Sequence, residues 1–94
     1  IGIGSDGELV TGGIGPETRQ TLENIKATLS RHNLGMANII KCTVFLADIS
    51  EWPTFNEIYA GYFEKGRFPA RSALAASGLA LGARVEVECM AAQL

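Results

Sequence analysis

Apolar residues recur at two different periods along this chain, and the switches between them mark out its elements. Leu22, Ile25 and Leu29 follow helical spacing, while Arg19, Glu23, Lys26 and Ser30 fall elsewhere on the wheel. Residues 16–32 therefore predict an amphipathic helix. Pro16 suits its first turn, Glu17 suits the positive end of its dipole, and Asn33 or Gly35 suits a left-handed cap. The next stretch, NIIKCTVFLADI, is β-branched and aromatic, with only Lys41 interrupting it before Leu46. Strict alternation puts Ile40, Cys42, Val44 and Leu46 on one face and Ile39, Lys41, Thr43 and Phe45 on the other. A strand apolar on both faces is covered on both. Helices are the expected cover on one side; another subunit is a candidate for the second.

Helical spacing returns in DISEWPTFNEIYAGYFEKG. Ser50 serves as a cap and Pro53 sits in the first turn. Phe55, Tyr59 and Tyr62, widened by Ile58 and Phe63, form an apolar stripe that reads as core. ARSALAAS and ARVEVECMAA predict two further strands, joined by GLALG as a loop or wide hairpin. The order helix, strand, helix, strand, strand predicts one α+β domain over 1–94, a mixed sheet with both helices on one face. The opening IGIGSDG has no methionine and reads as starting inside an element, so an N-terminal strand is expected ahead of it.

Composition narrows the function classes. The chain has 94 residues, 47% hydrophobic and 19% charged, with a net charge of -2. That is too apolar for disorder and lacks the basic stripe of a nucleic-acid binder. There is no apolar run long enough for a membrane span and no signal-peptide pattern. Cys42 and Cys89 lie far apart in sequence among apolar neighbours, and we expect reduced, buried thiols in a cytoplasmic protein. With His32 as the only histidine, a metal site is not expected. His32 ends a helix, so Ser72 and Ser77 have no activating base. TGGIGPE precedes a helix but lacks the lysine of a phosphate loop.

Four positions could carry chemistry. Arg71, in FPARSAL, puts a planar fork of donors at the mouth of an uncharged strand, suited to a small carboxylate. A structural ion pair or a rim arginine is the competing reading. In RVEVECM, alternation puts Glu86 and Glu88 on one face, either a solvated surface or a cleft wall. A carboxylate there, on a strand adjacent to that of Arg71, could hold a water or move a proton. Asn56, beside the aromatic stripe, could cap a loop or brace a cleft.

Taken in order, TRQTLENIKATL, IIKCTVFLADISEWPTFNEIYAGYF, FPARSAL and RVEVECMA resemble the Rid family, the YjgF-type group also labelled L-PSP endoribonuclease-like. The resemblance covers about residues 8 to 92. It implies a chorismate-mutase-like fold, a homotrimer with clefts between subunits, and hydrolysis of reactive 2-enamine and 2-imine acids to 2-oxo acids and ammonia. It implies no cofactor and a chemistry that requires no metal, while the charge and hydropathy above argue against a nucleic-acid partner and a membrane. By the same resemblance Arg71 clamps the imino-acid carboxylate and Glu86 positions the attacking water or relays a proton to nitrogen. The Ala73 backbone touches the ligand, where relatives often have cysteine, and Asn56 supports the cleft. The family's N-terminal tyrosine has no counterpart in this sequence. An endoribonuclease or translation inhibitor, and a non-catalytic trimer that binds small carboxylates, are the alternatives. Chorismate mutase chemistry would call for more cationic groups around a dicarboxylate.

Overall fold

A computed structural model describes residues 1–93. Helix α1 (Ile14–Arg31) leads to strand β1 (Ile39–Leu46), helix α2 (Trp52–Ala60), and strands β2 (Ala70–Ala75) and β3 (Val85–Ala91). The sheet order is β2-β1-β3, with β2 parallel to β1 and β3 antiparallel to it. Both helices pack on one side of this mixed sheet, which is the α+β layout that the hydrophobic pattern predicts.

The core lies between the layers. Leu22 of α1 and Phe55 and Tyr59 of α2 close over Cys42, Val44, Leu46, Val85 and Val87. Side chains of this size, fully buried, each contribute about 1.5–3 kcal/mol. Two polar devices fix the ends. Buried Glu17 accepts the backbone N–H of Arg84 at 2.8 Å, tying α1 to the entry of β3. Arg84 in turn pairs with Glu51, just ahead of α2.

Several boundaries differ from the sequence expectation for local reasons. Helix α1 starts at Ile14, with Gly13 at φ 85° before it, and ends with Asn33 in the left-handed region at φ 58°. The cap ahead of α2 is Asp48, whose carboxylate accepts from the Ser50 N–H at 2.9 Å; Ser50 itself caps nothing. These hydrogen bonds to Ser50 hold the Asp48 carboxyl below its usual pKa. The alternation in β1 breaks at a register shift between Ile39 and Lys41. Ile39 therefore joins the core while Ile40 is half exposed, the reverse of their expected faces.

The cysteine expectation fails. Cys42 and Cys89 face each other in the β1–β3 register and are joined in a disulfide. A separation of 47 residues in sequence says nothing about cross-strand pairing, and it is the antiparallel register that brings the two together. Of the two forms expected for GLALG, it takes the loop and not the hairpin. It crosses from one sheet edge to the other, with Leu81 at φ 58° on the way. Among the described residues no helix is long and apolar enough to cross a membrane.

Candidate functional site

Arg71 stands directly across from Cys42 in the parallel β2–β1 register. Cys42 points into the core, so the arginine leaves the sheet on the helix side and meets α2. There Trp52, Asn56 and Tyr59 stand at steps of four and three residues, which puts them on one helix face. The Arg71 Nη1 donates to Asn56 Oδ1 at 2.7 Å. The guanidinium carbon lies 4.5 Å from the centre of the Trp52 ring and 4.7 Å from that of Tyr59. A hollow of about 320 Å³ opens beside these groups, lined by Asn56, Tyr59, Ala60, Phe68, Pro69 and Arg71.

The electrostatics of this corner are simple. Among the described residues that line it, Arg71 carries the only charge, and its neighbours are aromatic or neutral. The Tyr59 hydroxyl is buried with no hydrogen-bond partner. Burial pushes its pKa up, and the Arg71 charge pulls the other way. An arginine seated in this manner has one N–H engaged by Asn56 and keeps donors for a planar anion.

Glu86 is placed differently. It stands across from Phe45 in the β3–β1 register, on the face of the sheet away from the helices, and is half buried. The adjacency expected for the Arg71 and Glu86 strands fails, because β1 lies between them. A parallel β1–β2 pair forces a crossover, and the chain then returns to the far edge of β1. Two strand spacings put the strand axes about 10 Å apart. The two side chains also leave on opposite faces, so within one chain they do not meet. Ala73, across from Val44, is exposed on the edge strand two residues beyond Arg71. Glu88 is exposed on the open face. The His32 Nδ1 lies 2.9 Å from the Thr28 carbonyl oxygen, at the end of α1.

Residues 1–93 match the family described as Endoribonuclease L-PSP. The chain is 44% identical over 89 residues to the human 2-iminobutanoate/2-iminopropanoate deaminase, an alignment spanning 95% of this chain and 64% of that protein. The chain belongs to the Rid family. It is also 39% identical over 93 residues to the yeast (Saccharomyces cerevisiae) protein HMF1, covering 99% of this chain and 71% of that one. Among solved structures it superposes on a Rid-family protein, YyfA, from Yersinia pestis with a TM-score of 0.92 and 42% identity, over 96% of this chain and 72% of that one. Escherichia coli TdcF, solved with bound serine, gives 0.85 and 31% identity over 94% and 70% of the two chains.

The structure brings Arg71 and Asn56, both candidates from the sequence, into contact, and adds an aromatic pair around the guanidinium that the sequence pattern does not single out. Tyr59 was assigned to the core stripe, and Trp52 lay outside it. The signal was available in the spacing of Trp52, Asn56 and Tyr59, which puts two ring faces around one acceptor.

Proposed function

We propose that this protein hydrolyses 2-imino and 2-enamino acids to 2-oxo acids and ammonia, in clefts formed between copies of the chain. The observation that carries the reading is Arg71, seated by Asn56 and two rings at the mouth of a hollow with donors to spare. The deaminase name of the human relative supports it, as does the serine, itself a carboxylate, in the TdcF structure.

In this reading Arg71 takes the substrate carboxylate in a two-point clamp and Ala73 offers its backbone to the ligand. Asn56 keeps the clamp in place. Water adds to the electrophilic C=N carbon and forms a C–O bond as the nitrogen takes up the π electrons. Glu86 holds that water and passes its proton toward nitrogen. The carbinolamine hydroxyl then gives up its proton as its electrons form the C=O bond, and the protonated nitrogen leaves as ammonia with the C–N electrons, so that a 2-oxo acid remains; an enamino acid first takes a proton at C3 to reach the same C=N form. An iminium carbon is already reactive, so placing the reactants and stabilising charge suffices.

Because Arg71 and Glu86 leave opposite faces, the site needs a second copy. We propose a homotrimer in which the β2 edge of one protomer lies over the open sheet face of the next. That face supports the reading: Leu74 is 44% and Met90 60% exposed, and Phe45 and Glu86 are only half covered. A cytoplasmic setting belongs to the same proposal. It carries the consequence that cellular reductants would face the Cys42–Cys89 bridge.

The decisive experiment generates 2-aminoacrylate with a dehydratase and follows loss of its trapped adduct. Full-length protein should speed the loss, and Arg71→Ala should abolish the effect. If neither holds, the deaminase reading is wrong. A carboxylate-binding trimer without catalysis would survive Glu86→Gln unchanged.

A further inference from the structure

We infer that Trp52 is a positioning residue for Arg71 and that its indole reports, by its fluorescence, whether the arginine holds a carboxylate. The inference rests on the reading of Arg71 as the carboxylate clamp and goes beyond it by naming what fixes that clamp.

An arginine side chain has several rotatable bonds, and a clamp that must first be ordered binds weakly. The surroundings of Arg71 remove that freedom in two ways. Asn56 Oδ1, at 2.7 Å, fixes the rotation of one end of the fork. The rings of Trp52 and Tyr59, at 4.5 and 4.7 Å, fix where the guanidinium lies. A guanidinium is weakly hydrated and stacks well on aromatic faces, so the rings hold it without using its N–H donors. Those donors stay free for a ligand.

Trp52 is not simply part of the core. It is half buried at the start of α2, while Phe55 one turn along is fully buried. Its ring stacks on Phe55 at a centroid distance of 5.6 Å, and Phe55 packs on Tyr59 at 5.5 Å. Phe55 therefore braces both rings that touch Arg71. Helical spacing supplies the geometry, because Trp52, Asn56 and Tyr59 share one face toward β2.

Trp52 is the only tryptophan in the chain. A carboxylate arriving at Arg71 neutralises the cation that lies over the indole, and the indole emission should change with occupancy. No other tryptophan dilutes that signal.

The test uses the full-length protein. Propanoate is titrated while tryptophan emission is recorded, and 2-oxobutanoate binding is measured by calorimetry. A saturable emission change is expected in the native protein and none in Arg71→Met. Trp52→Leu should raise KM for the imino acid and weaken 2-oxobutanoate binding by about three- to tenfold, with kcat little changed. Trp52→Phe, which keeps a ring face, should recover most of the loss. In an Arg71→Met background Trp52→Leu should cost nothing more in kcat/KM, because residues acting through one another are non-additive.

The inference is overturned if Trp52→Phe and Trp52→Leu lose equally, if the losses add, or if emission ignores propanoate while calorimetry shows 2-oxobutanoate bound at Arg71. Should Trp52→Leu fail to fold, the emission titration of native protein against Arg71→Met decides alone. Arg71-dependent emission in a protein that hydrolyses no imine would uphold the clamp and sink the deaminase. Imine hydrolysis with a silent Trp52 would do the reverse.

Discussion

If every working site takes Arg71 from one protomer and Glu86 from its neighbour, two inactive variants should rescue each other. Arg71→Ala removes a charge-assisted two-point contact. A loss of about 3 kcal/mol corresponds to a drop of about a hundredfold in kcat/KM. Glu86→Gln removes the water-holding base, a loss of roughly a hundredfold or more. Each variant alone should therefore run at about 1% of the native rate or less by these same magnitudes. Now let equal amounts of the two be unfolded and refolded together. A site is intact when its arginine side comes from a Glu86→Gln chain and its glutamate side from an Arg71→Ala chain. Random assembly in a closed ring makes that true of about one site in four. The mixture should recover about a quarter of native activity, roughly twenty-five times the residual background.

The measurement is imine hydrolysis in the mixed sample, with native mass spectrometry to confirm mixed oligomers. The structural basis is the sheet order β2-β1-β3 together with the opposite faces of Arg71 and Glu86. If mixed oligomers form and activity stays at background, the two residues do not combine across an interface and the two-copy site is refuted. A native protein that is active as a monomer refutes it equally.

Three further outcomes follow from the geometry. Alkylation of unfolded protein without reductant should label neither cysteine, and after reduction both; Cys42→Ser should cost about 2–4 kcal/mol in urea unfolding, because the bridge closes a long loop. Tyr59→Phe removes a buried hydroxyl that has no partner, so it should leave stability unchanged or raise it by up to about 1 kcal/mol in the same assay. Burial, then the hydrogen bond to Glu23, pushes the Tyr62 hydroxyl up to about 12. Its contribution to stability is thus fully present below the ordinary tyrosine pKa near 10 and is lost as pH rises from there toward 12. Ultraviolet titration of folded protein should show tyrosinate forming well above its onset in urea-unfolded protein, and coincident curves would contradict the assignment.

What the sequence made legible follows from the range of each signal. Period-2 and period-3.6 patterns are local, and they place α1, β1, β2 and β3 to within a few residues, whereas α2, expected to run on to Gly66, stops at Ala60 and leaves Tyr62 and Phe63 beyond its end. The same locality explains the errors. Nothing in NIIKC announces the register shift that exchanges Ile39 and Ile40, because it is set by pairing with β3. The Cys42–Cys89 pairing is cross-strand information of the same kind. Asp48 is the cap in place of Ser50 because it stands immediately ahead of a short 3-10 turn, Ile49–Glu51, that already contains Ser50 and that the helical pattern conceals. Arg71 was legible because a lone charge in an uncharged stretch is conspicuous. Trp52 is not, because it lies outside the apolar stripe and nothing local marks it until the cation over its ring is seen.

In the proposed two-copy site, the position of Glu86 on the open sheet face gives self-association a role beyond stability. On the helix side, α1 and α2 cover β1 and the first half of β3 and leave the β2 edge, with Arg71, exposed. A carboxylate on that side would meet the guanidinium directly and form an ion pair, leaving no cation free for substrate. Placing the acid on the open face keeps the two apart until a second copy supplies the approach. Among the described residues, Arg71 meets a neutral amide and two rings. Those partners orient the cation without neutralising it, which in the proposed assembly leaves it free to take a carboxylate substrate from one direction and face a base from another.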